Sequence, residues 1–453
     1  MTRKFKTVDY QATREITVRL GDCLPPDHLA CFVVDAVGQL DLSALYARYG
    51  SRGGEPYAPE TLLGLVFYGY ATGVFSSRKM ERATYDSVPF RFIAGNFHPD
   101  HDTLASFRKT FLPQLKGLFV QILLLARLTG VLQLGRISLD GTKIHADAAK
   151  SSAVSYQRLR EIERQLQAEV EELFALGEQA DQVHVPDGLV IDDEIALRQA
   201  RLARLAEAKA VLEARASERD AVEQAEYAAK VRERDEKAEQ TDRKPRGRPP
   251  EPPTPGPREA DQYNFTDPDS RIMKSSRGFD QDYNAQVAVD QGSLLIVGEF
   301  LSNHPNDQRE AVPTVESIPP ELGRPEAAAL DNGYFSAANI AYLASCGIEP
   351  YIATGRDAHH VSWQERFAAA PLPPPMDASP KVTMAYKLKT LIGQAIYAAR
   401  KSTVEPVIGI IKEVLGFRQF SLRGEESAAG EWCLVCMAFN LKRLHRMTFN
   451  RAS

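Results

Sequence analysis

The spacing of apolar residues divides the chain into a helical first third, a charged middle, and a last part in which strand and helix signals alternate. From Asp22 onward, apolar residues recur at three- and four-residue steps (Phe32, Val33, Val37, Leu40, Leu45), the period of one helix face. Pro59 opens a second helix in PETLLGLVFYGYATGV, at a first-turn position where its missing N–H costs little. Ser76 or Ser77 starts a third over SSRKMERATYD. The segment DTLASFRKTFLPQLKGLFVQILLLARLTGVL carries a fourth, which Pro113 kinks or divides. Residues 1–130 are therefore expected to form a compact all-α unit.

The period changes at Gly135. GRISLDGTKI alternates and is rich in strand formers, which predicts a strand with Asp140 near its end. From about Ser152 to Glu239 apolar residues are sparse. The runs RLREIER and ARLARLAE predict an antiparallel coiled-coil hairpin, broken near His184, Pro186, Asp187 and Gly188. A charged helix pair of this kind is usually a solvated arm. KPRGRPPEPPTPGP (Lys244 to Pro257) excludes helix and sheet, because proline fixes φ and removes donors. Strand signals return over Tyr283–Asp290 and Ser293–Leu301, separated by a Gln291-Gly292 hairpin turn. A helix near Asp307, a strand ending at Asp331, a helix over SAANIAYLASCG and a strand over EPYIATG follow. Helices around VIGIIKEVLG and GEWCLVCMAFNLKRLHRM end the chain. The order β, long insertion, ββ, α, β, α, β predicts an α+β or α/β fold. Its mixed sheet is of the RNase-H-like kind, with 131–150 as the first part of the core, 151–260 as insertion and linker, and 261–453 as the remainder.

At 453 residues the chain exceeds one hydrophobic core, so two or three units are expected. Apolar and charged fractions of 43% and 25% fit a soluble globular protein. Five cysteines, an odd count, suit a reducing cytoplasm better than a disulfide framework. MTRKFKTVDYQATREITVRL lacks the apolar core of a signal peptide. The apolar stretch Leu115–Leu134 holds Lys116 and Arg127 and reads as a buried helix, so no membrane span is expected. The net charge of −5 argues against a nucleic-acid partner only on average. From Lys381 onward there are 12 Lys+Arg against 5 Asp+Glu, a tail able to face phosphates.

Phosphodiester transfer needs cations that activate a hydroxyl and stabilise the leaving oxygen, held by a few acidic residues in one cleft. Asp140 and Asp331 each close an apolar strand, where a carboxylate is costly unless paired, capping or liganded. Glu405 precedes Pro406 and is expected at or just before a helix N-terminus, with Lys412 two turns along on the same face. The plainer reading of either aspartate is a turn, since Asp-Gly and Asp-Asn-Gly are common turn sequences.

ISLDGTKI, ALDNGY and YAARKSTVEPVIGIIK (Tyr397 to Lys412) resemble the three acidic motifs of bacterial insertion-sequence DDE transposases. The PETLLGLVFYGYATGVFSSRKMERA and HDTLASFRK segments resemble their N-terminal region. The resemblance covers most of the chain outside the arm and linker. It implies a metal-binding triad of Asp140, Asp331 and Glu405, holding two Mg²⁺ or Mn²⁺ ions. It further implies that Tyr397, Arg400 and Lys412 hold phosphates of the element's end. The family places three residues between its arginine and glutamate. Arg400 has four and Lys401 three, so that role stays open between the two; Glu413 rivals Glu405 but lacks a lysine seven residues downstream. The implied partners are double-stranded DNA (terminal inverted repeats and target) and further copies of the chain. The helical 1–130 unit would be DNA-binding, and the implied location is the bacterial cytoplasm, at the nucleoid.

Other features have a functional and a structural reading. Arg246-Gly247-Arg248-Pro249 resembles an AT-hook that enters A·T-rich minor groove, or is a basic proline-rich linker. Arg418 and Arg423, with Lys442, Arg443 and Arg446, suit phosphate contacts or a solvated helix face. Cys433 and Cys436 have metal-ligand spacing without a completing pair and read as core thiols. Lys143, His145 and Asp147 read as a polar strand exit, and Tyr334 with Phe335 as core aromatics. Two other functions use the same residues: a catalytically silent DNA-binding or scaffolding derivative, and an RNase-H-like nuclease without strand transfer.

Overall fold

The computed structural model describes residues 19–50, 55–179, 186, 188–241, 247–275, 278–355, 372–375 and 377–450. In chain order the main elements are helices α1 (Leu29–Val37), α2 (Pro59–Thr72), α3 (Ser77–Asp86), α4 (His101–Thr110) and α5 (Leu112–Leu128), then strand β1 (Arg136–His145) and the short β2 (Ala153–Ser155). Two long helices follow, α6 (Tyr156–Glu178) and α7 (Ile191–Thr241), then β3 (Gln262–Asn264), β4 (Arg271–Ser275), β5 (Gly278–Asp290), β6 (Ile296–Ser302), β7 (Ala327–Leu330), α8 (Ala337–Ser345) and β8 (Glu349–Ile352). Helices α9 (Pro380–Lys389), α10 (Leu391–Gly409) and α11 (Glu425–Asn450) complete it. The chain divides into two units, Met1–His145 with Tyr283–Ser453, and Ala146–Asp282.

In the first unit the strands run in the order β6-β5-β1-β7-β8. β5 and β6 are antiparallel, while β1, β7 and β8 are parallel. Gln291, just past β5, donates to the Arg136 carbonyl at the start of β1 (2.8 Å), so β5 and β1 run in opposite directions. β7 is made of small residues, all buried, which lets α10 approach: Ala327 and Ala329 pack with Tyr351 and Ile396. On β6, Asn440 of α11 accepts from the Ile296 amide (2.9 Å) and donates to its carbonyl (2.8 Å), which satisfies polar groups that an edge would leave open. Gly430 brings α11 close to α5; a Cβ there would stand 2.7 Å from Leu112.

Several expectations from sequence hold in this unit. Pro59 is at the first turn of α2. α4 and α5 break at Phe111 with a 76° bend, and Pro113 sits in the first turn of α5. Leu115, Leu118, Ile122 and Leu123 are buried, and among the described residues no single helix is long and apolar enough to cross a membrane. β5 and β6 form the expected hairpin, but its turn is longer than Gln291-Gly292 and runs over residues 291–295.

Two local expectations fail. Asp140 is in the middle of β1, because the strand continues through Gly141 to His145. Glu405 is not at a helix start: it is inside α10, with Pro406 also within the helix. Thr403, Val404 and Val407 are buried on either side, so packing overrides the local preference of proline. The helical path continues as a π turn over Ile410–Val414.

The second unit contains the charged helices. Lys209 pairs with Glu163 (2.9 Å) and Arg198 with Glu169 (2.7 Å); as one helix rises the other falls, so α6 and α7 are antiparallel. Their shared face buries Leu159, Leu166, Leu205, Ala208 and Leu212 together with Val154 of β2. Pro186 and Gly188 lie between the helices as expected; His184 and Asp187 are outside the described residues. β2 pairs antiparallel with β3, and β4 with the first residues of β5; neither β3 nor β4 was foreseen.

Candidate active site

The parallel register of β1 and β7 ends with Ser138 opposite Ala329. Carried two residues further, it sets Asp140 beside Asp331 at one edge of the sheet. Asp331 also caps the turn that follows: its Oδ1 accepts from the Gly333 amide at 2.7 Å. The turn reading of this residue is thus correct, and its other carboxylate oxygen takes no part in that bond. Asp140 Oδ1 accepts from Gly141 at 2.9 Å.

Arg400 of α10 links two carboxylates across this edge. Its Nη1 donates to Asp140 Oδ2 (2.9 Å) and its Nη2 to Glu405 Oε1 (3.2 Å). Lys401 is exposed, whereas Arg400 is buried against both carboxylates. The Tyr397 ring centroid is 5.9 Å from the Arg400 guanidinium carbon. Burial pushes the Asp140 carboxyl up to about 6; Arg400 opposes this, and Asp331 and Asp307 add to it. The Asp331 carboxyl is raised for the same first reason. Burial pulls Arg400 down, but Asp140, Tyr397, Asp331 and Glu405 outweigh it and hold the guanidinium charged. Arg400 Nε is buried without a partner. Among the described residues no three His, Cys, Asp or Glu side chains converge tightly enough to hold an ion as they stand.

Asp307 belongs to this site and was missed. Its Oδ1 accepts from Asn284 (2.7 Å), Gln286 (2.9 Å) and Lys143 (3.3 Å). Gln286 in turn accepts from the Tyr334 hydroxyl. A Cβ on Gly141 would stand 2.2 Å from Gln286 Nε2 and 3.0 Å from Asp307 Oδ1, so only glycine fits beside Asp140. Residues 284 and 286 share one face of β5, and two amides at alternate positions of an apolar strand were a readable sign of a buried polar network.

The remaining candidates are dispersed. Lys412 donates to Thr142 Oγ1 (2.9 Å) and the Lys143 carbonyl (3.1 Å), so it ties the π turn to β1. Arg418 donates to the Lys412 carbonyl (3.1 Å) and pairs with Glu413. Arg423 is in the loop before α11. Lys442 and Arg443 donate to the carbonyls of Ala71 (2.8 Å) and Ser293 (2.9 Å). Arg248 is exposed and pairs with Glu251; Arg246 is outside the described residues. Cys433 and Cys436 are buried free thiols, and Tyr334 is fully buried.

The N-terminal and C-terminal motifs meet in the first unit. Arg108 donates to the Tyr70 hydroxyl (2.7 Å), which donates to Glu431 Oε1 (2.7 Å); Arg108 itself is 3.8 Å from Glu431.

Comparison with known families agrees with this joining of the two ends. Residues 18–110 match the model of a transposase domain (DUF772), and residues 377–445 match that of a transposase DDE domain. Tyr70 and Arg108 fall in the first match, and Arg400, Glu405 and Glu431 in the second. The chain belongs to the insertion-sequence DDE transposases. No curated protein and no solved structure matches it.

Proposed function

We propose that the protein cuts DNA at the ends of an insertion sequence and joins the freed 3′-hydroxyls to target DNA, with Asp140, Asp331 and Glu405 as the carboxylates of the reaction. The observation that carries this is the register of β1 and β7, which brings Asp140 beside Asp331 just past the end of β7, with Arg400 bonding both Asp140 and Glu405. The strand order β6-β5-β1-β7-β8 supports reading the sheet as RNase-H-like.

The residues suit a divalent cation. A buried carboxyl pushed up to about 6 by burial and carboxylate neighbours is one that a cation would restore to its charged form. Asp140, Asp331 and Glu405 would hold Mg²⁺ or Mn²⁺, as one or two ions. Bound there, the metal supplies polarisation of the scissile phosphate and stabilisation of the leaving oxygen. Arg400 would bind a phosphate of the element's end when it releases a carboxylate, with the Tyr397 ring beside it. Asp307, Gln286 and Tyr334 orient the backbone on which both aspartates sit. Two element ends must be brought together, so the working form is a dimer or larger.

The test is incubation with Mg²⁺ or Mn²⁺ and DNA carrying the flanking terminal repeats. Asp140→Ala, Asp331→Ala and Glu405→Ala should each reduce cleavage and joining to below about one-hundredth of the parent rate. Cleavage that survives all three substitutions overturns the assignment. Nicking without joining would make the protein a nuclease, and binding without either would make it a silent derivative.

A further inference from the structure

The second unit contains a cavity of about 530 Å³ where α6 and α7 meet the small β2–β3 sheet. Three arginines line it, Arg158, Arg201 and Arg204, together with the hydroxyls of Ser151, Ser152 and Thr266. No carboxylate is among its lining residues. Arg158 has a partner outside, Glu161 at 3.0 Å. Arg201 and Arg204 form no hydrogen bond or ion pair with any described residue, although Arg201 is near enough to Glu169 to help Gln165 and Arg198 hold that carboxyl low; Arg198, Lys209 and Arg219 on the same helix are paired. The guanidinium carbon of Arg204 is 5.5 Å from the centroid of the Phe265 ring, which also lines the cavity. The ring holds the guanidinium plane while leaving its N–H edges open to an acceptor.

Unpaired guanidinium groups grouped around hydroxyls, in a hollow large enough for a phosphate and its attached sugar, are the chemistry of phosphodiester recognition. A solvated arm would not need this. Lys230 and Arg232, farther along α7, are also without ion pairs among the described residues; what sets Arg201 and Arg204 apart is that they line one hollow together with Arg158 and three hydroxyl-bearing residues. We propose that this cavity binds a backbone phosphate of duplex DNA, so the arm is a second DNA contact separate from the catalytic carboxylates. Only the choice of DNA as the carrier of the phosphate rests on the transposase reading above.

The experiment measures binding of the full-length chain to a short blunt duplex of unrelated sequence, by fluorescence anisotropy across a salt series. R201Q/R204Q should weaken binding roughly tenfold and lower the slope of log K against log salt by about 1 to 2, the counterion release of one or two phosphates. R201K/R204K should restore most of the slope, and helical circular dichroism should be unchanged, since both residues are exposed. K230Q/R232Q removes the same charge farther along α7 and should leave the slope nearly unchanged. An unchanged slope in R201Q/R204Q, or an equal loss in K230Q/R232Q, overturns the site. So does a cavity that binds inorganic phosphate or dAMP in an arginine-dependent way while duplex binding is unaffected. Asp140→Asn should abolish cleavage without moving the slope. Failure of the catalytic reading and failure of this one therefore give different results.

Discussion

Arg400 donates to Asp140 across 2.9 Å and to Glu405 across 3.2 Å, so one guanidinium joins carboxylates from a strand and a helix. This cation offsets charge that a bound divalent ion would also neutralise. Arg400→Gln should lower the melting temperature without metal, by an amount equivalent to about 1–3 kcal/mol. Added Mn²⁺ should then raise the melting temperature more in the variant than in the parent. Calorimetry with and without Mn²⁺ checks this. Equal shifts in both proteins would mean that arginine and metal do not compete.

Gly141→Ala places a methyl group against Gln286, whose side chain is already held by Asp307 and Tyr334. The neighbour cannot move without losing those bonds. The variant should lose about 1–3 kcal/mol of stability, with a fall in DNA cleavage beyond what the stability loss explains. Denaturant melts beside single-turnover cleavage measure the two effects; a fully active variant would show that Asp140 tolerates displacement.

Asp307→Asn keeps the shape and removes the charge that faces Lys143 (3.3 Å) while retaining an acceptor for Asn284 and Gln286. A stability loss of about 1–2 kcal/mol is expected. Lys143→Ala combined with it should cost less than the sum of the two single changes, because each removes the other's partner. Additive melting data would indicate that the pair does not interact.

Glu299 of β6 is buried, and burial pushes its carboxyl up to about 7, with the Cys433 thiol and Lys116 pulling the other way. The folded state therefore holds the proton more tightly than the unfolded chain. The resulting penalty is absent below about pH 4.5, grows as pH rises to about 7 and is complete above it, reaching up to about 3 kcal/mol. Glu299→Gln should be more stable than the parent at pH 8 and no more stable at pH 4. Melting temperatures across this range test the sign.

Glu431 is fully buried and accepts from Tyr70 (2.7 Å), Ser421 N (2.8 Å) and Leu422 N (3.0 Å), with Arg108 close by. Glu431→Ala would leave a buried arginine without its counter-charge, at a cost of about 3–5 kcal/mol. Tyr70→Phe, which keeps that charge, should cost about 1 kcal/mol. A Glu431→Ala variant within about 1 kcal/mol of the parent in urea melts would argue against the charge as the main term.

Much of the helical first third was legible, because Pro59 and the three- to four-residue apolar period act locally. Asp331 was equally legible, since a short run of alanines and one leucine ending in Asp-Asn-Gly defines both strand and turn. Asp140 was found but set one strand-half too early: Asp-Gly looks like a turn, and only pairing with distant neighbours extends β1 to His145. The environment of Glu405 was misread because Pro406 signals a boundary that burial of Val404 and Val407 overrules. β4 and Asp307 went unseen because each depends on partners beyond its own segment. Lys412 was legible in the third motif, but its bond to β1, which spans most of the chain, was not.

The strand that carries Asp140 lies between β5 and β7, and its pairing with β7 joins Arg136 to Ala327. On a ribosome adding about 5–20 residues per second, β1 leaves on the order of 10–40 s before its parallel neighbour exists. Until β5 follows, an apolar strand is finished but has no edge to join, and the helices of the insertion are made in the meantime. Newly made chains are thus exposed to misassociation in a window set by the length of the arm. A version with a shortened arm should spend less time in it and yield more soluble protein.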